Sequence, residues 1–329
     1  MSSNQTSPSE PACVYNPYVV PVLYFLMFPV ALVLNGVAAW VSLHLKSTST
    51  FVVYLKNLVA ADIIMTLTMP IKAARDFQVA SYTFFILSCF VSSILYSTMY
   101  TCITFLGFIS VDRFFKIMMP QSKFGQNVTI SKVISGIVWL ILFGGTALPN
   151  IILSNHPVAN ITGSITCVKL KGPEGLKFHQ NTVINQSVFF WVVSVIITVC
   201  YICIANKVIR SFRNSGSSNN QGQQKVKLRV FLVVVVFFVS FGPYHMVRIP
   251  YTFQQVKASS NTGCSNFSRF AKEFSLWLAC TNICTVPLLY VFLCREFKDK
   301  LVSMMKSVSM SFQAALAGGA EDSLQQSGV

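Results

Sequence analysis

The sequence predicts an all-α membrane protein, a bundle of seven transmembrane helices followed by a short amphipathic helix. Only 11% of its 329 residues are charged, whereas a soluble domain has about 25%. Crossing the hydrocarbon core takes roughly 20 helical residues, and apolar runs of that length occur seven times. Membrane barrel strands would instead give runs of about 10 residues with alternating hydrophobicity, which is not the pattern of these runs.

The first apolar run is predicted to be a permanent helix, because it is longer than the core of a signal peptide and no basic residue precedes it. The predicted organisation is an extracellular N-terminus (1–18), a seven-helix domain (19–293), an amphipathic cytosolic helix (294–308) and a disordered tail (309–329). The predicted spans are Val19–Leu45, Phe51–Lys72, Phe85–Lys116, Val133–Leu153, Val183–Lys207, Val230–Phe253 and Phe274–Leu293.

The distribution of basic residues predicts an extracellular N-terminus at the plasma membrane. With that orientation, sixteen of the 25 Lys and Arg residues lie on the cytosolic side, as expected from the positive-inside rule. The glycosylation sequons at Asn4, Asn160 and Asn266 then all lie outside. The remaining basic residues lie outside or at the outer helix ends: Lys72, Arg75, Lys169, Lys171, Lys177, Arg248, Lys257, Arg269 and Lys272.

The net charge of +15 does not indicate a nucleic-acid polymer as partner, because most of it follows from membrane topology and no nucleic-acid fold signature accompanies it. The outer face is also positive, since its acidic residues are only Glu10, Asp76, Glu174 and Glu273. This excess predicts an anionic partner that arrives from outside.

Four of the ten cysteines, Cys13, Cys89, Cys167 and Cys264, lie in outer segments or at the outer start of helix three. Four cysteines allow three pairings. Cys89–Cys167 would tie the second outer loop to helix three, and Cys13–Cys264 would tie the N-terminus to the third outer loop. Cys294, just after helix seven, is either an acylation site or a plain interfacial thiol.

Ionisable and polar groups inside the spans need a reason, because each costs about 2.5–3.5 kcal/mol at the bilayer centre on translocon scales. Asp62, Asn35 and Asn282 lie at comparable depths in three helices. They form either a structural hydrogen-bond network between helices or a cation or water site. Asp112 and Arg113 end the third hydrophobic run on its cytosolic side.

The sixth span carries a polar face. Arg248 lies nineteen residues after Arg229, or about 28 Å at 1.5 Å per residue, so it could simply snorkel to the outer surface. A lipid-facing stripe would not be the polar one, however, so the face that it shares with His245 and Tyr251 is predicted to point into the bundle. Pro243 predicts a kink below them.

These motifs resemble those of the rhodopsin-like G protein-coupled receptors: "LNG", "NLVAAD", "VDRFF", Trp139 with Pro149, "FGPYH" and "VPLLY". Within that class, "STFVVYLKN", "ALPNIILSN", "PYHMVRIPYT" and "AKEFSLWLA" resemble the purinergic branch that responds to ADP or UDP-sugars.

The resemblance implies a seven-helix receptor without cofactor, metal or catalytic residues, and two sets of site residues. The ligand-binding set would be Tyr96, Tyr100, Lys171, His179, His245, Arg248, Tyr251, Lys272 and Glu273. The set for switching and G-protein coupling would be Asp62, Asp112, Arg113, Pro243, Asn282, Pro287 and Tyr290. The chemistry of the first set suits a diphosphate, because Arg and Lys bind polyanions and tyrosine rings can cover a base.

Three positions depart from the family pattern. Val286 stands where most members have Asn or Asp, which removes a polar partner of Asp62. The family's helix-three cysteine would fall at Ser88, so the disulfide of Cys89 is expected to need a local adjustment. Val183 aligns with a base-contacting Asn, so the ligand could differ from ADP.

The sequence therefore predicts a receptor for an extracellular nucleotide, coupled to a heterotrimeric G protein of the inhibitory class. The alternatives within the class are a receptor for another anionic ligand, such as a lysophospholipid, and an orphan receptor. A transporter would show internal repeats and broken helices, and an intramembrane enzyme would show a paired nucleophile and base, so neither is favoured.

Overall fold

The computed structural model describes residues 18–45, 49–76, 81–120, 127–156, 166–214, 220–258 and 266–326. Within these ranges, seven helices are long and apolar enough to cross a membrane, which confirms the predicted fold class. The helices are α1 Val19–Leu43, α2 Thr50–Asp76, α3 Tyr82–Met118, α4 Val128–Ile152, α5 Pro173–Asn214, α6 Asn220–Ala258, α7 in two stretches, Asn266–Cys280 and Asn282–Leu293, and α8 Arg295–Gln326.

Local sequence explains where several helices begin and how α4 is shaped. The Ser81 hydroxyl accepts the N–H of Phe84 at the start of α3, and Asn127 caps α4 by accepting two N–H groups. Such caps satisfy donors that a helix leaves unpaired in its first turn. Within α4, residues Leu140–Ala147 form wider π-helical turns.

Helices α5 and α6 extend beyond the predicted spans at their connecting ends. The prediction ended α5 at Lys207 and began α6 at Val230, with a mobile polar linker between them. In the structure α5 continues to Asn214 and α6 begins at Asn220. The Gln, Lys, Leu and Arg residues that precede Val230 favour helix, so α6 continues past the apolar run.

The helix after α7 is also longer than predicted. It runs from Arg295 to Gln326, whereas we expected it to end at residue 308 and to be followed by a disordered tail. Alanines recur in the extension at 314, 315, 317 and 320, and alanine has the highest helix propensity. Phe297 and Met304 are buried near the start of α8, where this helix packs beside α1.

The bundle has an apolar exterior and a packed interior. Large apolar side chains such as Leu26, Val33 and Leu140 are exposed on the outside of the bundle, where lipid would surround them. Inside, α3 and α5 approach closely at Gly107, because a Cβ atom there would lie 3.0 Å from Val193 Cγ1. This close approach keeps α3 at the centre of the bundle.

The two ends of the bundle differ in chemistry, and we name them by their residues. The disulfide end carries the Cys89–Cys167 bond, with an S–S distance of 2.04 Å, as predicted. We expected a local adjustment near Cys89, but α3 is continuous from Tyr82 through this residue. The Asp112 end carries Asp112 and Arg113. Cys13 and Cys264 lie outside the described residues, so their pairing stays a prediction.

Candidate functional site

A cleft opens at the disulfide end between α3, α4, α5 and α6. It holds about 560 Å³ of empty space. The loop that carries Cys167 closes one side, and its position is fixed by the disulfide and by a hydrogen bond from the His156 N–H to the Leu170 carbonyl (2.9 Å). Hydroxyl and amide groups dominate the polar lining, which includes Ser92, Ser93, Ser97, Thr146, Asn150, Ser154, Thr182 and Gln186. Four residues of the predicted ligand set also line it: Tyr96, Lys171, His179 and Arg248.

Arg248 is the central cation of this cleft. Only 5% of its surface is exposed, and its guanidinium carbon lies 4.9 Å from the centre of the Tyr96 ring. Among the described residues, no carboxylate forms an ion pair with Arg248. Burying a charge without a partner costs several kcal/mol. Arg248 therefore faces into the bundle, and an anion in the cleft would stabilise it.

Two lysines and one carboxylate lie on the other side of Tyr96. Lys272 Nζ is 5.7 Å from the centre of the Tyr96 ring and 5.8 Å from that of Tyr251. The Glu273 carboxylate accepts hydrogen bonds from Lys272 Nζ (2.7 Å) and from Lys72 Nζ (2.8 Å). The Lys72 side chain is only 1% exposed. This interhelical network holds α2 against α7, and its sum of charges is positive.

Lys171 is held by α4. Its Nζ donates to the Asn150 carbonyl (2.9 Å), to Asn150 Oδ1 (3.2 Å) and to Ser154 Oγ (2.9 Å). All three acceptors are uncharged, and burial lowers the pKa of the Lys171 amine to about 8, because burial disfavours the charged form. Lys171 therefore both anchors the loop and contributes a titratable charge to the cleft wall.

Tyr100 and His245 lie deeper than the cleft residues and bind each other. The Tyr100 hydroxyl is 3.0 Å from His245 Nε2, and both side chains are buried. Neither residue belongs to the lining of the cleft. The structure thus brings the nine predicted ligand residues to one end of the bundle, but divides them into a cleft, a lysine–glutamate network and a buried pair.

The α5 wall explains what replaces the expected asparagine. Val183 is 4% exposed and lines the cleft. Its neighbours Asn181 and Asn185, which carry the amides nearest in sequence, are exposed. The lining polar groups of α5 are instead Thr182 and Gln186. Any amide contact to a base on this wall would therefore come from Gln186.

Sequence reasoning missed several residues of this site. Asn150 and Ser154 belong to a polar face of α4 that recurs every four residues from Thr146, and this spacing could have identified them. Lys72 was recognised only as an outer charge, although its place at the end of an apolar span indicates a buried partner. Arg75 Nη1 lies 3.3 Å from Ser92 Oγ and 3.4 Å from Cys167 Sγ, which no sequence pattern indicated.

Comparison with known proteins decides the family. Residues 34–290 match the family described as 7 transmembrane receptor (rhodopsin family). The chain belongs to this family. It is therefore a multi-pass receptor of the plasma membrane, and its predicted lack of enzymatic function agrees with the relatives that it matches, which are named as receptors.

The similar receptors include members named as purinoceptors. The human purinoceptor 13 is 42% identical over 288 residues, covering 87% of this chain and 81% of the relative. The bovine purinoceptor 14 is 36% identical over 307 residues, covering 92% and 90%. The mouse G-protein coupled receptor 87 is 38% identical over 292 residues, covering 87% and 80%. The predicted resemblance to the purinergic branch is confirmed.

The receptor has a second cavity at its Asp112 end, with about 530 Å³ of empty space. It is lined mainly by apolar residues of α3, α5, α6 and α7, together with Arg113, Tyr201, Asn282 and Tyr290. The Asp112 carboxylate accepts hydrogen bonds from the Thr50 hydroxyl and from Lys116 Nζ (2.8 Å). The Arg113 guanidinium carbon lies 4.9 Å from the centre of the Phe51 ring. The start of α2 therefore positions both residues of this pair.

The polar groups in the middle of the receptor form part of the predicted network. Asn35 Nδ2 donates to the Ile283 carbonyl (3.0 Å), which joins α1 to α7. The Cys102 thiol donates to Asp62 Oδ1 (3.2 Å), which joins α2 to α3. Among the described residues, Asp62 Oδ2, Asn282 Nδ2 and the Tyr290 hydroxyl have no hydrogen-bond partner.

The surroundings of Asp62 do not fit a hard-cation site. Such a cation needs several oxygen ligands, whereas a thiol proton points at one oxygen of Asp62 and buried Val286 stands at the position where most family members have Asn or Asp. Pro287 lies within α7, and Pro243 lies within α6, which continues as one helix through it. Their roles in switching stay predictions.

The predicted modification sites have different standings. Cys294 is 7% exposed, its sulfur accepts the N–H of Phe297 (3.5 Å), and burial raises the pKa of its thiol. Acylation there requires local opening of the corner between α7 and α8. Asn4 and Asn160 lie outside the described residues, and Asn266 begins α7. Glycosylation at all three stays a prediction.

Proposed function

We propose that this receptor binds an extracellular nucleotide, an ADP-like or UDP-sugar-like diphosphate, at its disulfide end and activates heterotrimeric G proteins of the inhibitory class. The disulfide end then faces outside and the N-terminus is extracellular. The single observation that carries the proposal is buried Arg248, which has no carboxylate partner among the described residues. A ligand phosphate would supply the missing anion.

The neighbours of Arg248 support a nucleotide over a simple anion. Tyr96 offers a ring face beside two cations, and such a ring can also stack on a base. His179 Nε2 is buried without a hydrogen-bond partner among the described residues, and the hydroxyl and amide groups of the cleft suit ribose and base edges. Purinoceptors are also among the relatives that share over a third of their aligned residues with this chain.

The Asp112 end supports the coupling half of the proposal. Arg113 lines a cavity between α3, α5, α6 and α7, and an outward movement of α6 would open this cavity to the cytosol. Lys207 Nζ donates to the Met118 carbonyl (2.9 Å) at the end of α3, which ties α5 to α3 beside it. A G protein could therefore bind where the helices separate.

The proposal is tested by expressing the receptor in cells and measuring inhibition of stimulated cAMP production. ADP, UDP, UDP-glucose and lysophosphatidylserine are applied separately, at matched surface expression. We expect a response to at least one nucleotide. A response to lysophosphatidylserine alone, or silence to all nucleotides at good surface expression, would reject it.

The titration of Lys171 predicts a pH-dependent affinity. With a pKa of about 8, the amine is about nine-tenths charged at pH 7 and about one-tenth charged at pH 9. Affinity for a diphosphate agonist should therefore fall as pH rises through 8. Lys171→Arg, whose guanidinium stays charged, should show a flat profile between pH 7 and pH 9 in an equilibrium binding assay.

Unfolding would not explain such a loss. The folded-state pKa of Lys171 lies below its value in an unfolded chain, so above pH 8 the unfolded state binds more protons and this group's contribution to stability rises with pH. Equal pH slopes in the wild type and in Lys171→Arg would show that Lys171 does not supply the relevant charge.

A further inference from the structure

The pair formed by Tyr100 and His245 has a defined hydrogen-bond direction. His245 Nδ1 lies 2.8 Å from the Phe241 carbonyl, which can only accept a hydrogen bond, so Nδ1 carries a proton and donates it. In a neutral imidazole the other nitrogen is then an acceptor. The Tyr100 hydroxyl therefore donates to Nε2 at 3.0 Å, and both ring nitrogens of His245 are occupied.

The ring of His245 is also packed on its face. Phe190 of α5 stacks on the imidazole with 3.8 Å between ring centres and 8° between planes. The edge of His245 meets the neighbouring Tyr244 ring at 5.0 Å and 90°. His245 thus joins α6 to α3 through a hydrogen bond and to α5 through a stack, with only 1% of its surface exposed.

Aromatic contacts connect this pair to the cleft above and to the middle of α6 below. Above, Tyr244 stacks with Tyr96 at 6.4 Å, and Tyr96 carries Arg248 on its ring. Below, Phe190 stacks with Phe237 at 5.7 Å and 16°. Phe237 is buried against α3 and α5, as is Val233 one turn further. An outward movement of this half of α6 would break these contacts.

Pro243 lies between the two contact levels of α6. It cannot donate a hydrogen bond to the carbonyl of Val239, which leaves the helix easier to bend there. His245 is on the disulfide side of this weak point, and Phe237 is on the other side. A change in the contacts of His245 can therefore alter the direction of the lower half of α6, which is a bistable element of the hinge type.

We propose that Tyr100 and His245 are positioning residues that restrain α6 rather than contacts of the ligand. Their hydrogen bond holds α6 against α3 just above Pro243, and a ligand on Tyr96 and Arg248 weakens this restraint through Tyr244. The inference rests on the proposed function for the identity of the ligand, but the restraint itself acts without any ligand.

The test uses the purified full-length receptor in lipid nanodiscs without agonist. A fluorophore on Leu228→Cys, an exposed position near the Asp112 end of α6, reports the fraction of receptors in which α6 has moved outward. Tyr100→Phe removes only the donated hydroxyl. We expect an increase of about fivefold in the outward population, the factor that one net hydrogen bond supplies.

Two further variants make the test specific. His245→Phe keeps the stack on Phe190 and removes the acceptor, so it should give the same increase, and the double variant should give no more than either single one. Tyr82→Phe, at the exposed start of α3, is the matched control and should leave the population unchanged. Thermal melting of each variant checks that the receptor is folded.

The outcomes separate this inference from the proposed function. An unchanged outward population in Tyr100→Phe, or full additivity in the double variant, would overturn the positioning role. Because the fluorescence is measured without agonist, silence of the wild type to nucleotides would reject the proposed function and leave this result standing.

Discussion

Replacing Arg248 by alanine is expected to weaken agonist binding about 100-fold without lowering surface expression. A charge-assisted pair between a guanidinium and a phosphate contributes about 3 kcal/mol when it is desolvated, and every 1.4 kcal/mol changes affinity tenfold. Folding should not suffer, because Arg248 is buried with no carboxylate partner among the described residues. Competition binding on membranes, corrected for receptor number, measures the effect.

Two other variants define what Arg248 supplies. Arg248→Lys keeps the charge but loses the planar two-pronged geometry, so we expect a loss of about tenfold. Lys177→Ala removes an exposed cation from the same end of the receptor and should change affinity less than twofold. If Arg248→Ala binds agonist as tightly as the wild type, Arg248 is only a snorkelling residue and the proposed phosphate site is wrong.

Replacing Glu273 by glutamine is expected to destabilise the receptor by about 3 kcal/mol. This carboxylate accepts hydrogen bonds from both Lys72 and Lys272, and removing one partner of a buried ion pair leaves an uncompensated charge that costs about 3–5 kcal/mol. Thermal unfolding of the purified, agonist-free receptor should occur at a lower temperature, and surface expression should fall with it.

The cause can be isolated by removing a second charge. Glu273→Gln combined with Lys72→Met leaves no excess cation on α2, so most of the lost stability should return. Glu174→Gln neutralises an exposed carboxylate at the same end and should leave the melting temperature unchanged. A melting temperature of Glu273→Gln equal to that of the wild type would show that the network does not stabilise the bundle.

The sequence could predict the membrane topology because the hydrocarbon core imposes a length on each helix. The apolar run in α3, for example, needed only counting, and its polar end at Asp112 and Arg113 marked one membrane surface. The structure agrees to within a few residues there. The ends of α5, α6 and α8 were less accurate, because helix propensity continues them beyond the lipid, where hydrophobicity gives no signal.

The partners inside the site could be predicted only in part. Helical phase correctly placed Arg248, His245 and Tyr251 on one face of α6. It could not show that Lys72 pairs with Glu273, which is 201 positions away in sequence, because the pairing depends on how α2 packs beside α7. For the same reason, Tyr100 and His245 were predicted as ligand contacts, whereas the structure pairs them below the cleft.

The central claim is that buried cations at the disulfide end select the diphosphate of a nucleotide. The most direct test measures equilibrium binding of ADP, UDP and UDP-glucose to the purified receptor, alongside adenosine and uridine. We predict that at least one diphosphate binds and that its matched nucleoside binds at least about 100-fold more weakly, since it lacks the charge that Arg248 requires. A nucleoside that binds as tightly as its diphosphate, or the absence of binding by every nucleotide, would contradict the account.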